Sequence, residues 1–218
     1  MKMVEKAGLL ARKNDYYDRF RDRIIFPITD ISERIVGFGG RVLDDALPKY
    51  LNSPETPLYN KRKILYGLGE VKQDCRQAEM VYITEGYMDF LALYRHDIKN
   101  VVATLGTSLT VDQVRLLRGY VTKAVLVFDS DAAGVKAARR AVDIFNQERG
   151  IDPYILTLPE GHDPDTYLRD FGADAFLKLA DNAQGAISFL IESAVKKHGL
   201  SVEGKIRVIA DMRSEEHT

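Results

Sequence analysis

The sequence predicts an α/β fold built on a parallel β-sheet, and two patterns in the middle of the chain support this prediction. Four short apolar segments alternate with segments in which apolar residues recur at helical spacing. One of them, KAVLVFD (123–129), is nearly all apolar, as expected of a strand that is buried on both faces. Strands that alternate with helices of this length favour a parallel sheet with helices on both faces.

The first seventy residues contain a predicted β-hairpin, which makes the whole chain α+β. Residues 24–28 (IIFPI) and 34–43 (RIVGFGGRVL) are rich in β-branched and aromatic residues, and the intervening TDIS supplies turn residues. The glycines of 37–40 indicate a bulge, or a backbone surface kept clear for a close approach. Residues 44–63 contain three prolines and a short extended piece, KYLN, and indicate an ordered but irregular connection.

From residue 67 onward, strands and helices are predicted to alternate. The predicted strands cover 80–84, 100–106, 123–129 and 152–158, and the predicted helices cover 67–78, 87–97, a segment from Thr110, and 132–150. Thr110 is a favourable N-cap for its helix. After about residue 164 only helices are predicted, and the clearest lies in 177–199. The last six residues, RSEEHT, leave the apolar period and indicate a frayed or non-native end.

The composition narrows the class of protein. The chain has 218 residues, of which 45% are hydrophobic and 29% charged, as in ordinary globular proteins. No apolar run approaches the roughly 20 residues that a membrane span needs, and the N-terminus lacks a secretory pattern. The single cysteine, Cys75, excludes an internal disulfide and a zinc cluster. We therefore expect a cytoplasmic protein with no membrane partner and no zinc.

The charges are distributed unevenly although the net charge is only −1. Residues 1–66 hold 13 Lys and Arg against 9 Asp and Glu, a surplus of four positive charges, so residues 67–218 carry a surplus of five negative charges. A basic region beside an acidic one is typical of an enzyme that holds a polyanion next to metal ions. An imbalance this small also arises by chance.

Acidic residues follow three of the four predicted strands. Ligands of parallel α/β sheets bind beyond the carboxyl ends of the strands, where these acids lie. In Asp129-Ser130-Asp131 an extended backbone points both carboxylates the same way, and hard cations prefer such oxygen ligands. The sequence thus predicts a magnesium site, with two ions that clamp the attacking and leaving oxygens of a phosphoryl transfer. Its predicted ligands are Glu85, Asp129, Asp131, Asp163 and Asp165.

Each acidic motif also has a purely structural interpretation. An isolated DxD often serves as a helix N-cap, and the helix after Asp131 would accept one. Asp89 is placed as a first-turn acid that complements a helix dipole. Acids at three strand ends of one α/β unit are harder to explain as caps, so the metal-binding interpretation is favoured.

At these residues the sequence resembles the Toprim domain, and within that group it is similar to bacterial replicative primases of the DnaG type. Glu85-Gly86 and the DxD of 129–131 match the Toprim signature. The likeness to primases spans residues 21–170 in the order of that family. It rests on RDRIIFPI (21–28), GFGGRVL (37–43), PKYLNSPETPLY (48–59), KILYGL (63–68), EGYMD (85–89), LGTSLT (105–110), FDSDAAG (128–134) and GHDPD (161–165).

The resemblance implies a division of the chain and roles for its residues. Residues 1–70 would be part of a basic subdomain, 71–170 the Toprim domain, and 171–218 the start of a helical subdomain. Catalytic magnesium would be bound by Glu85, Asp129 and Asp131, with Asp163 and Asp165 in the same metal site and Asp89 as a supporting acid. Template or incoming nucleotide would contact Arg41, Lys49 and Lys61.

The basic residues have their own physical interpretation. Arg41 follows a group of glycines, so its backbone and guanidinium could both approach a phosphate. Lys49 lies beside Tyr50, and cations mixed with aromatic rings suit single-stranded nucleic acid. The alternative is that these residues, Lys61 included, are solvated surface charges, as most lysines are.

The resemblance implies a DNA primase, which synthesises short RNA primers on single-stranded DNA from ribonucleoside triphosphates with Mg²⁺ or Mn²⁺ at the bacterial replication fork. The zinc-binding domain and helicase-binding region of that family have no counterpart here, so we expect an internal fragment that contacts the replicative helicase only through a missing part. Two alternatives remain open. One is a Toprim-family nuclease, and the other is a single-strand-binding module without activity of its own.

Overall fold

The N-terminal segment forms small elements that the sequence did not indicate. The computed structural model describes residues 2–129 and 131–213, without the side chains of 131–133. A short helix α1 (Lys2–Lys6) precedes an antiparallel pair, β1 (Leu10–Arg12) and β2 (Tyr16–Asp18). These strands have three residues each and β2 is exposed throughout, so they lack the alternating apolar pattern that reveals a strand.

A three-stranded antiparallel sheet follows and confirms the predicted hairpin. Strand β3 (Arg23–Thr29) pairs with β4 (Ile35–Val42), which pairs on its other edge with β5 (Tyr50–Asn52). The extended piece within the irregular connection is therefore a third strand. Asp30 closes the hairpin turn, because its carboxylate accepts hydrogen bonds from the backbone N–H groups of Ser32 and Arg34. A single 3₁₀ turn (Lys61–Lys63) leads out of this region.

The centre of the chain forms the predicted parallel sheet. Its strands are β6 (Met80–Thr84), β7 (Val101–Ala103), β8 (Lys123–Phe128), β9 (Asp152–Thr157) and a short edge strand β10 (Gln184–Gly185), in the order β10-β9-β8-β6-β7. Four strands are parallel, and only β10 runs antiparallel. The strand order reverses direction between β6 and β8, and this switch point is where open α/β sheets bind ligands.

Four helices alternate with the parallel strands. They are α2 (Leu68–Ala78), α3 (Tyr87–Arg95), α4 (Val111–Leu117) and α5 (Asp131–Gln147). Residues 124–127 of β8 are each at most 4% exposed, and successive strand residues point to opposite faces, so both faces of the sheet are covered. The predicted N-cap of α4 is confirmed, because Thr110 Oγ1 accepts a hydrogen bond of 3.1 Å from the backbone N–H of Gln113.

The C-terminal part is mainly helical, with a kink at Gly172 inside its first helix, and the prediction was wrong where a short strand interrupts the helices. The continuous helix expected in 177–199 is divided into the end of α6 (Pro164–Ala180) and α7 (Ala186–His198). Between them, β10 leaves the helical path to pair with the edge strand β9. A last helix, α8 (Val202–Arg213), packs on α7. Residues 214–218, most of the unusual end, lie outside the described residues.

The antiparallel sheet packs directly against the α/β unit. Tyr66 joins them through two backbone hydrogen bonds with Ala103, of 2.9 and 3.1 Å. Tyr87, the first residue of α3, stacks on Phe26 with ring centroids 4.7 Å apart. This contact brings the basic and acidic regions of the sequence face to face. Among the described residues, no helix is both long and apolar enough to cross a membrane.

Candidate metal and nucleotide site

Glu85 and Asp129 follow the two strands that flank the switch point of the parallel sheet. Glu85 comes directly after β6 and Asp129 directly after β8. Loss of surrounding water raises the pKa of Glu85, and the negative charge of Asp129 raises it further. The two carboxylates are therefore close enough to repel each other. Asp131 begins α5, but its side chain lies outside the described residues.

Asp89 lies in the first turn of α3 and faces several other acids. Its Oδ2 accepts a hydrogen bond of 3.0 Å from the backbone N–H of Gly86, as the structural interpretation of this residue expects. Burial raises the pKa of Asp89 to about 6, and the charges of Asp163, Glu85 and Asp165 add to that rise. Asp89 thus caps the helix and belongs to the acidic group at the same time.

Asp163 and Asp165 belong to the start of α6 rather than to a free loop. Asp163 is the N-cap of this helix, and its Oδ1 accepts hydrogen bonds from the backbone N–H and the hydroxyl of Thr166, at 2.8 and 2.7 Å. Burial would raise the pKa of Asp163, but the hydrogen bonds from Thr166 outweigh it and hold the pKa below its ordinary value. Asp165 lies exposed in the first turn.

One cleft contains most of the predicted site residues. It has a volume of about 360 Å³ and lies between the antiparallel sheet and the carboxyl end of the parallel sheet. Its lining comes from both units and includes Arg41, Lys49, Tyr50, Asn52, Glu85, Tyr87, Asp89, Asp163 and Asp165. The two cations belong to the antiparallel sheet and the four acids to the α/β unit. A ligand that combines phosphate with a metal ion would match both walls.

Arg41 is oriented by the strand pair β4–β5. Its guanidinium carbon lies 5.8 Å from the centre of the Tyr50 ring, on the paired strand. Its Nε is buried and has no hydrogen-bond partner among the described residues. A buried donor without a partner costs free energy, which a phosphate oxygen from a ligand would recover.

The structure places Lys61 away from this cleft. Its side chain is exposed, and the described lining of the cleft includes neither Lys61 nor Asp129. The backbone of Lys61 is structural, because its carbonyl accepts a hydrogen bond of 3.1 Å from the buried amide of Gln113. Asp129 still acts on the cleft electrostatically through Glu85.

Two residues that sequence reasoning missed join the walls of the cleft. The hydroxyl of Tyr87 donates a hydrogen bond of 2.8 Å to Asn52 Oδ1. The amide of Asn52 in turn lies 3.4 Å from the carbonyl oxygen of Leu105. A tyrosine and an asparagine 35 positions apart give no pattern in one sequence that would reveal this link.

The donor set fits a hard divalent cation. All candidate ligands are carboxylates. The pKa values of Glu85 and Asp89 are raised mainly by burial and further by neighbouring acids, and a cation would relieve that repulsion. Within the described part of the chain, no three acidic, histidine or cysteine side chains are already gathered as a metal-binding group. The carboxylate of Asp131, predicted as a third ligand, is not in that part.

Comparisons with known proteins agree with this geometry. Residues 1–72 match the family described as DNA primase catalytic core, N-terminal domain, and residues 82–168 match the Toprim-like family. The DNA primase of Clostridium acetobutylicum is 45% identical over 97% of this chain, and that of Pseudomonas aeruginosa is 43% identical over 94%. The chain spans only 35% and 32% of the length of these relatives.

Solved structures of DNA primases also match this chain. The crystal structure of a DNA primase domain from Pseudomonas aeruginosa superposes with a TM-score of 0.86 at 42% identity, covering 96% of this chain and 68% of that one. A DnaG primase catalytic domain bound to single-stranded DNA superposes with a TM-score of 0.85 at 39% identity, covering 95% and 68%.

Proposed function

The chain belongs to the bacterial DnaG-type DNA primases, and on that premise we propose that its cleft is the nucleotidyl-transfer site for RNA primer synthesis on single-stranded DNA. One observation carries the proposal. A wall with two cations and a tyrosine faces a wall of acids at the switch point of the sheet. Phosphates and bases fit the first wall, and metal-bound phosphoryl chemistry fits the second.

The proposed reaction joins two ribonucleotides that are paired with a template. The 3′-hydroxyl oxygen of one attacks the α-phosphorus of the next, the α–β phosphoanhydride bond breaks, and pyrophosphate leaves as the hydroxyl proton is lost. Two divalent metal ions, Mg²⁺ or Mn²⁺, would activate the attacking hydroxyl and stabilise the negative charge that develops in the transition state. The residues of the chain act by positioning, so no covalent intermediate on a side chain is needed.

Each proposed site residue has a distinct role. Glu85, Asp129 and Asp131 are the proposed catalytic metal ligands, because they follow the strands at the switch point. Asp163 and Asp165 are proposed as additional ligands from the start of α6, although the carboxylate of Asp163 already caps that helix. Asp89 is proposed as a supporting acid that keeps Gly86 in place.

Arg41 and Lys49 are the proposed contacts for phosphates. The unpartnered Nε of Arg41 supports this role, and Tyr50 offers a ring on which a base can stack. Lys61 remains a proposed contact. Because it lies outside the cleft, its proposed partner is a part of the nucleic-acid strand farther from the metal site. The proposed domains are 1–70, the basic subdomain; 71–170, the Toprim domain; and 171–218, the start of a helical subdomain.

The partners proposed for the whole protein follow from its relatives. A related DnaG catalytic domain was solved with single-stranded DNA, which supports single-stranded DNA as the template here. Ribonucleoside triphosphates are the proposed substrates. Contact with a replicative helicase is proposed for the whole protein through a region other than this chain, at the replication fork.

Nucleotide incorporation tests the proposal. The chain is given a single-stranded DNA template, an annealed RNA dinucleotide, Mg²⁺ and α-labelled ribonucleotides, and extension and pyrophosphate release are followed. We expect templated extension that Glu85→Gln lowers at least about 100-fold, since it removes charge stabilisation of the transition state. Glu203→Gln, an exposed glutamate on α8, serves as the control.

Two results would contradict the proposal and identify its alternatives. Metal-dependent shortening of the template instead of primer extension would indicate a nuclease. Template binding with neither extension nor any metal-dependent retention of a ribonucleoside triphosphate would indicate a single-strand-binding module.

A further inference from the structure

A second cavity opens on the other side of Glu85. It has a volume of about 340 Å³ and lies between the carboxyl ends of β6 and β8, the segment 104–109 and helix α5. This volume is within the range of small-molecule sites. Glu85 and Gly106 line both cavities, so this one, the α5 pocket, adjoins the cleft described above.

The rim of the α5 pocket carries two cations that have no acidic partner among the residues that the structure describes. Lys136 and Arg140 are four residues apart on α5, so their side chains share one face of the helix. Both are exposed, and within the described part of the chain neither forms an ion pair with a carboxylate. Like charges at this spacing repel each other, so the pair is unfavourable until an anion lies between them.

The segment opposite α5 contributes a hydroxyl. Arg140 Nη1 donates a short hydrogen bond to Ser108 Oγ across the mouth of the α5 pocket. This bond leaves the hydroxyl hydrogen of Ser108 and the other guanidinium donors available. Two cations and one hydroxyl around one opening are suited to bind the oxygens of a phosphate.

The floor of the α5 pocket is apolar. Its accessible apolar surface comes from Leu109 and Ala137, which are half-buried, whereas the lining strand ends at Leu126 and Val127 are buried. Inorganic phosphate would leave this surface wet, whereas a phosphate attached to a flat organic group would cover it. A nucleotide has both parts.

We infer that the α5 pocket is a nucleotide-binding site separate from the metal cleft, in which Lys136, Arg140 and Ser108 hold a phosphate and the apolar floor holds the base. The ligand is either a free nucleotide or one nucleotide of a nucleic-acid strand that continues past Glu85. Binding there requires neither the acidic residues nor a metal ion, so it can succeed or fail independently of the proposed primase activity.

Metal-free titrations test this inference. Binding of ADP, and separately of an eight-nucleotide oligoribonucleotide, is measured by calorimetry in EDTA. We expect the double variant Lys136→Ala, Arg140→Ala to weaken binding of one or both ligands at least tenfold. Lys205→Ala, Arg207→Ala removes the same two charges from exposed positions of α8 and should weaken binding of the same ligand less than threefold.

A further variant keeps the charges of Lys136 and Arg140 but fills the space beside the apolar floor of the α5 pocket. Ala137→Leu should also weaken binding at least fivefold, because the larger side chain occupies the space of the base. Loss confined to ADP identifies a free nucleotide as the ligand, and loss confined to the oligoribonucleotide identifies a strand. The inference is overturned if neither ligand binds without metal, or if the two double variants weaken binding equally.

Discussion

At the scale of a single residue, Asp89 shows how the fold makes the ionised form of a carboxyl group unfavourable. Its carboxylate caps α3 at Gly86 and yet lies among Glu85, Asp163 and Asp165. The folded-state pKa of about 6 lies above the ordinary value of 3.8. The folded protein therefore holds this proton more tightly than the unfolded chain does. The resulting stabilisation is complete below about pH 4 and is lost as the pH rises through about 6.

Asp89→Asn should remove this pH dependence, because the amide keeps a hydrogen-bond acceptor for Gly86 without the charge. We expect the variant to be more stable than the parent by about 1 to 2 kcal/mol at pH 7.5 without metal, and to lose that advantage near pH 4. Urea unfolding at both pH values measures the difference. Asp174→Asn, on the exposed side of α6, is the control, and an equal effect at both pH values would contradict the account.

Gln113 is a second residue whose buried position gives it a structural role. It is fully buried, and its amide donates hydrogen bonds to the carbonyls of Lys61 and Ile64, at 3.1 and 2.9 Å. Gln113→Ala should lower the free energy of unfolding by about 2 to 3 kcal/mol, since one buried and one partly buried carbonyl lose their donor. Gln147→Ala, at an exposed helix end, should change it by less than about 0.5 kcal/mol. Comparable losses in the two variants would argue against this role.

At the scale of elements, the parallel strands and their helices were predictable because the physics that forms them is local. β8 is apolar from its second residue onward because both faces of the sheet are covered, and Thr110 occupies the N-cap position that its side chain suits. The resemblance to Toprim-containing primases, stated from the motifs, is confirmed by the comparisons. The edge strand β10 was missed, since two residues carry no periodic signal.

Gly39 illustrates a close approach that the glycine pattern indicated without revealing its partner. A Cβ at this position of β4 would overlap the phenol of Tyr87. Gly39→Ala should therefore destabilise the protein by about 1 to 3 kcal/mol in urea unfolding. Gly185→Ala, where a Cβ meets nothing within 4 Å, is the matched control.

A double-mutant cycle shows whether Tyr87 is the cause. In a Tyr87→Ala background, the added cost of Gly39→Ala should fall below about 0.5 kcal/mol, because the overlapping ring is gone. An undiminished cost would mean that the strand itself, and not its contact with α3, requires glycine.

At the scale of the whole molecule, the cleft arises from docking of two units, and one sequence gives little information about such docking. The position of the cleft acids was predictable because the carboxyl ends of strands in one sheet must meet, whereas their binding of a metal stays a prediction. Tyr50 and Asn52 became visible as cleft residues only when β5 was placed against α3. Arg41 and Lys49 came from the family resemblance, and Lys61, suggested in the same way, lies outside the cleft.

The cationic wall should determine how binding of single-stranded DNA depends on salt. Arg41→Ala and Lys49→Ala should each weaken binding of a single-stranded oligonucleotide and reduce the slope of log K against log salt concentration by about 0.7 to 1. Fluorescence anisotropy at several salt concentrations measures both effects. Lys178→Ala, an exposed lysine on α6, should leave the slope unchanged, and an unchanged slope in the cleft variants would contradict their role.

The most direct test of the central claim is Mn²⁺ binding measured by electron paramagnetic resonance on the chain with a ribonucleoside triphosphate. The account predicts that Glu85→Gln, Asp129→Asn together lower Mn²⁺ affinity by at least about tenfold, because two charged oxygen ligands are lost. The matched pair Glu203→Gln, Asp143→Asn removes the same charges from exposed helical positions and should bind Mn²⁺ like the parent. Equal affinity in all three proteins would contradict a metal site at the carboxyl edge of the sheet.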